Sequence, residues 1–385
     1  MSMFFAIAIG IIIGIILIGF LVFIHEAGHF FAAKFFKVKV EEFGFGYPPR
    51  IWGKKKGETI YSINAIPAGG FVRLLGEDEE ELKDNRSFAA KGPWLRMAII
   101  SAGIAMNLLI AFGLFTVVLV SGGFRVDMPT ALPTTGQTLN LSFPFGKQTQ
   151  GVMIGYVFPG SPAEKAGLKP LDELVSVDGR KFTSIESFQK YINENKGKEI
   201  AFNVYNIFDK TSRWITAIPR KKPPTDEGPL GLDLDSVITI RYQSAPEKIF
   251  VGPIHSANML YFQGAAIGSL VSLSFREKSI APVSESVSGP VGLVGILGQF
   301  IGSTGLSGAM VLIDTIALIS LVLGVVNLLP IPAADGGRLF FALLEAVFRI
   351  KVSERIERAI HTAGFAVLII LFILITYNDI VKFFR

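Results

Sequence analysis

The stretch Met3–His29, MFFAIAIGIIIGIILIGFLVFIHEAGH, decides the reading of this chain. Its first 22 residues, Met3–Ile24, carry no charge, and about 20 consecutive apolar residues suffice for a helix to cross the hydrocarbon core of a bilayer. The run leads into His25-Glu26-Ala27-Gly28-His29. On a helix, positions i and i+4 share a face, so both imidazoles reach one ion. Glu26 stands beside that pair, where it can take a proton from water that zinc has acidified to a pKa of about 7. That is the mechanical sense of the H-E-x-x-H pattern. Ionisable residues at the end of a membrane helix are costly to place and are functional by default. The first positive charge is Lys34, and the apolar core is longer than that of a signal peptide, so the segment reads as retained.

Three more apolar runs, Met97–Val120, Met310–Ile331 and Thr362–Thr376, make this an integral membrane protein. Only 18% of the 385 residues are charged, against about a quarter in soluble proteins. With no cysteine, zinc thiolate sites, disulfides and cysteine nucleophiles are excluded. The net charge of +5 comes from basic residues beside the membrane runs and implies no nucleic acid. Lys34 to Arg96 carries twelve Lys and Arg residues, and the last connection carries Arg349, Lys351, Arg355 and Arg358. Both therefore read as cytoplasmic, with four spans and both termini outside. Ile249 to Phe275 is long enough to span, but crossing there would break that pattern; it reads as an interfacial or re-entrant helix.

Between the first two spans, Val38–Phe43, Thr59–Ile63 and Phe71–Leu75 alternate as strands of a small sheet at the membrane surface. Glu77 to Glu81 reads as a solvated acidic loop. From about Gly151 to Asp235 the composition turns soluble, with short strands around a helix from Ser184 to Asn195, an α+β domain.

A catalytic zinc site takes three protein ligands plus water, and Phe30 to Phe36 offers only Lys34. His255 and His361 lie on other segments without a motif and read as incidental. The remaining candidate is Asp335, in Asn327-Leu328-Leu329-Pro330-Ile331-Pro332-Ala333-Ala334-Asp335-Gly336-Gly337. The two prolines break the third apolar helix, and such breaks are tolerated only inside protein or beside a wet cavity. An aspartate there, followed by glycines that allow close approach, suits a ligand, although a helix cap is the other reading. Asp314 is the competing carboxylate.

An early intramembrane H-E-x-x-H paired with a late N-x-x-P-x-P-x-x-D-G-G resembles the site-2 protease family of intramembrane zinc metalloproteases, in its bacterial RseP-type branch. Pro67-Ala68-Gly69-Gly70-Phe71-Val72-Arg73-Leu74 resembles that family's membrane-associated β-loop. Ala102-Gly103-Ile104-Ala105-Met106-Asn107 resembles its A-G-P-x-x-N helix, with isoleucine in place of proline, and Ser288-Gly289-Pro290 its S-G-P element. Ala334 stands where leucine is common. Gly160–Leu168 and Asp172–Gly179 resemble a bacterial PDZ domain, with Gly228-Pro229-Leu230-Gly231-Leu232 as its carboxylate-binding loop; there is room for one such domain.

The resemblance implies a mainly α-helical membrane protein of four transmembrane helices, with a membrane-associated β-loop and an extracytoplasmic α+β PDZ domain. It implies Zn2+ held by His25, His29 and Asp335, with Glu26 catalytic. Asn327, Gly69, Gly70 and Phe71 would meet substrate, and Leu230, Gly231 and Leu232 a peptide at the PDZ domain. The substrates would be single-span membrane proteins already cut by another protease, such as anti-sigma factors, or remnant signal peptides, in a bacterial inner membrane. The expected divisions are 1–37 (first helix with the motif), 38–92 (β-loop), 93–124 (second helix), 125–240 (PDZ domain with flanks), 241–305 (interfacial or re-entrant), 306–348 (third segment) and 349–385 (turn and fourth helix). A membrane scaffold with structural zinc and a metal transporter are the other classes carried. A closed four-ligand site would mark the first, and polar groups on several spans the second.

Overall fold

The computed structural model describes residues 3–77, 84–130, 132, 138–224, 227–287, 289, 306–350 and 352–383. It divides into two compact units, Met1–Phe115 with Val287–Arg385, and Thr116–Ser286. Among the described residues, four helices are long and apolar enough to cross a membrane: Gly14–Phe35, Pro93–Ser121, Gly308–Leu328 and Arg355–Lys382.

The first unit opens with helix α1 (Met3–Phe35). The helix runs on past the apolar stretch that ends at Ile24, so His25 and His29 lie inside it. Nothing from His25 to Lys34 breaks a helix: Ala27, Ala32 and Ala33 favour it, and Gly28 is the one weak former. It closes where Lys37 turns to a φ of 58°. Leu17, Leu21, His25, His29 and Ala33 are all buried, a stripe at four-residue spacing. Helix α2 (Pro93–Ser121) buries Ile100, Ile104, Asn107, Ala111 and Phe115 in the same manner. Gly28 brings the two helices together, since a Cβ there would lie 2.3 Å from the Ala102 carbonyl oxygen.

Strands β1 (Val40–Lys56) and β2 (Thr59–Leu74) form the sheet between those helices. Both are longer than expected. Thr59–Ile63 and Phe71–Leu74 belong to one bent strand, because the Pro- and Gly-rich segments expected to be turns are absorbed as irregularities in the ladder. Residues 42–45 of β1 pair with Gly70–Arg73 on one side and with Ile60–Ile63 on the other. Gly70–Leu74 thus pairs only with the start of β1 and forms an edge among the described residues. Most of the acidic run after Glu77, residues 78–81, lies outside the described residues, as do Ser288 and Pro290.

In the second unit, strands β3 (Arg125–Pro129), β4 (Lys147–Val157), β5 (Asp172–Val177), β6 (Ile200–Asn206), β7 (Thr211–Ala217) and β8 (Leu232–Arg241) form one sheet in the order β3-β8-β4-β5-β6-β7. Helix α3 (Pro162–Ala166) lies between β4 and β5. Ile200, Phe202 and Val204 alternate inward from β6 and meet Phe188 and Ile192 of helix α4 (Ile185–Glu194). That helix starts where expected, because the Ser184 side chain accepts from the Ser187 N–H.

After β8 come α5 (Ala245–Ile249), α6 (Val251–Glu277) and α7 (Ala281–Ser286). The compact unit therefore runs beyond the expected limits of 125 and 240. Tyr242, Val251 and Leu270 share one core with Ile238 and Ile240, which binds α6 to the sheet. His255 is part of that core: its Nδ1 lies 2.9 Å from the Tyr242 hydroxyl, which also accepts from Asn258 Nδ2 at 2.9 Å. Burial pushes the Tyr242 hydroxyl up to about 12 and the His255 imidazole down to about 4.

The first unit resumes with α8 (Leu306–Leu328), α9 (Asp335–Phe348) and α10 (Glu354–Phe383). Ser320 of α8 donates to the Asn107 carbonyl at 2.8 Å, joining α8 to α2.

Candidate metal centre

The third apolar helix stops at Leu328 because Pro330 and Pro332 each lack an N–H and exclude the helical turn before them. The chain reverses through Ala333, at a φ of 74°, and Asp335 opens α9. Gly336 is required there: a Cβ would lie 1.9 Å from the Leu329 carbonyl oxygen.

This reversal delivers Asp335 to the histidine pair. Asp335 Oδ2 lies 2.7 Å from His25 Nε2 and 3.1 Å from His29 Nε2, and the two Nε2 atoms are 3.1 Å apart. Donors around a tetrahedral zinc stand about 3.3–3.5 Å apart, so the two 3.1 Å edges need to open by about 0.2–0.4 Å and the His25–Asp335 edge by about 0.6–0.8 Å. Both imidazoles are buried. Gly103 of α2 faces them, and a Cβ there would lie 2.4 Å from His29 Nε2.

The tautomers agree with a metal. His29 Nδ1 lies 2.9 Å from the Ile99 carbonyl oxygen. A carbonyl only accepts, so Nδ1 carries the proton and Nε2 offers its lone pair. His25 Nδ1 lies 3.2 Å from the Asn107 amide nitrogen, while the amide oxygen is buried without a partner. Turning that amide by half a turn lets Oδ1 accept from His25 Nδ1–H. His25 Nε2 is then also bare, as a ligand must be. Two imidazoles and one carboxylate, with no thiolate, suit zinc with a position left open.

The family comparison agrees with this geometry. Residues 13–371 match the model of peptidase family M50. The chain belongs to family M50, the site-2 proteases. A relative from Clostridium acetobutylicum, named provisionally as a zinc metalloprotease, is 33% identical over 383 residues, 96% of this chain and 97% of the relative. The zinc metalloprotease RasP of Geobacillus kaustophilus is 27% identical over 453 residues, 96% of this chain and 97% of the relative. The RasP of Oceanobacillus iheyensis is 26% identical, covering 96% and 98% respectively. As an M50 member the chain is a membrane metallopeptidase, and zinc is its metal.

In this M50 chain, one pocket is lined by Glu26, His29 and Asp335 together with Gly70, Phe71 and Val72 of the β2 edge. Glu26 makes no hydrogen bond to another described residue. Arg338 and Glu77 pair at the pocket's wall. Gly69 is outside the lining, with a φ of 146°, packed near Val22 and Tyr47. Asn327, on the last turn of α8, is half-buried and is not part of the lining. Asp314 is not among the gathered ligands. Leu230, Gly231 and Leu232 lie in the second unit, where Leu230 and Leu232 line a groove with Phe188 and Ile192.

In the sequence Asn107 lies in a motif that signals no role for it. Nothing in the sequence signals the Ile99 carbonyl, which is backbone, or His361, which lines the same pocket from α10.

Proposed function

We propose that this peptidase hydrolyses peptide bonds within the transmembrane segments of single-span membrane proteins. The carrying observation is the convergence of His25, His29 and Asp335, whose ligand atoms all lie within 4.8 Å of one another, beside an unpartnered Glu26. In this reading the three residues hold zinc, which supplies Lewis acidity, polarising a carbonyl and acidifying water. Glu26 takes the proton from the attacking water and returns it to the leaving amine. A spanning helix hides its peptide bonds, so the segment must first unwind. The edge at Gly70–Leu74 receives it as an added strand, and its place in the wall of the Glu26 pocket supports this role. Gly69 allows the bend in β2 that presents the edge. Asn327, at the end of the broken helix, holds the incoming chain.

The second unit is a PDZ-type domain in this reading. β8 pairs with β4 along its length but with β3 only from Val237 onward, so Leu232–Asp235 keeps an open side among the described residues. The Leu230-Gly231-Leu232 loop, with Gly231 at a φ of 70°, leads into that open side next to α4. This supports capture of a peptide tail there, as a filter for substrates trimmed by another protease. The Lys- and Arg-rich connections support a bacterial inner-membrane topology with the metal nearer the cytoplasmic face and the second unit outside, α6 lying at the interface.

The test uses purified protein and a transmembrane peptide. Cleavage is expected, with loss of activity to a chelator and in Glu26→Gln. Wild-type-like cleavage by Glu26→Gln contradicts the proposal.

A further inference from the structure

His361 sits on α10, and three contacts fix its ring. The Ala333 backbone N–H donates to its Nδ1 at 2.9 Å. The Phe341 ring lies 5.9 Å away, and a Cβ on Gly337 would come within 3.0 Å of its Cε1. These three neighbours flank Asp335 in sequence, so the ring is set against the segment that carries the aspartate.

The remaining polar atom is unused. A backbone N–H can only donate, so Nδ1 accepts and the proton of the neutral ring sits on Nε2. Nε2 is buried and has no hydrogen-bond partner. Buried donors in folded proteins are nearly always paired. An unpaired one whose residue lines the pocket shared with Glu26, His29 and Asp335 is left for whatever enters that pocket.

The chemistry of the entrant follows from another element of the lining, the β2 edge. A chain added along Gly70–Leu74 has backbone groups pointing alternately to both sides. The β2 edge satisfies one side only, and the carbonyls on the other side need donors once water is excluded. We propose that His361 Nε2–H donates to a backbone carbonyl oxygen of the bound substrate strand, making His361 a substrate-binding residue of the proteolytic site. The inference rests on the peptidase reading above and adds a second contact to the bound chain besides the β2 edge.

The full-length chain is compared as Glu26→Gln, Glu26→Gln with His361→Asn, and Glu26→Gln with His361→Gln. Zinc per chain and binding of a fluorescent transmembrane peptide are measured for each. Asparagine keeps an acceptor at the Nδ1 position for Ala333 but loses the outer donor. Glutamine carries an amide donor out to the Nε2 position. The expected result is unchanged zinc in all three, binding weakened about fivefold by His361→Asn, and binding closer to the parent with His361→Gln. Unchanged binding in His361→Asn overturns the assignment, as does loss of zinc in both variants. Failure of the peptidase reading shows elsewhere, as cleavage that survives Glu26→Gln in a chain with His361 intact.

Discussion

The two units differ in what they leave outside and in the polar groups they enclose. In the second, the buried set is a water-soluble protein's core: Val152, Ile154, Leu174, Phe202 and Val204 under Phe188 and Ile192. In the first, His25, His29, Asn107 and Ser320 are buried among apolar span residues such as Leu21, Ile99 and Leu321, while Phe365, Ile370 and Leu374 of α10 are more than half exposed. None of the most apolar window of α10 is buried, against 33% for α2. Lipid is as apolar as leucine, so burying leucine between spans gains little, and polar pairing and close backbone packing hold the helices instead. Gly28, Gly103 and Gly336 provide that close packing here. One chain thus encloses its large apolar side chains in one unit, and in the other turns many of them outward around a buried polar site.

The largest effect that bears on this contrast is chemical. Glu26→Gln should lower cleavage by about 10²–10⁴-fold while zinc per chain stays constant, because Glu26 bonds to no other described residue. Next is the core of the second unit. Phe202→Ala should cost about 3–5 kcal/mol in a denaturant or thermal transition and leave zinc binding in the first unit intact. A parallel loss of zinc would show that the two units are not independent. His255 gives the second unit a pH dependence. Its folded value of about 4 lies below the ordinary 6.5, so its neutral form is favoured by folding. That stability is present above pH 6.5 and is lost as the pH falls toward 4, by up to about 3 kcal/mol; His255→Gln should flatten the decline in thermal melts. The smallest effect expected is on the metal's support. Asn107→Leu should weaken zinc affinity by about 10–100-fold in a chelator competition, with Asn107→Asp retaining most of it.

Much of both units is legible in the sequence, and for identifiable reasons. The spans follow from apolar run length, the histidine pair from i, i+4 spacing, and α4 from its serine cap. The helix break before Asp335 is legible because prolines in a helix interior interrupt it, while Asp335 itself stands out through the histidine pair's need for a third ligand and the family resemblance. The missing parts are those without a local signal. β2 absorbs Pro67 and Gly69-Gly70 as bends because its pairing partner, far back in β1, bends with it. The extent of the second unit depends on Tyr242 and Leu270 meeting across the fold. His361 reads as incidental because the groups that orient it, Ala333 and Phe341, precede it by a span's turn and a helix.

The central claim is that His25, His29 and Asp335 form one zinc site. Metal content of the purified chain, measured by mass spectrometry for the wild type and for His25→Ala with Asp335→Ala, tests it most directly. One zinc per chain is expected in the wild type and none in the double variant. Zinc retained at one per chain after both substitutions would contradict it.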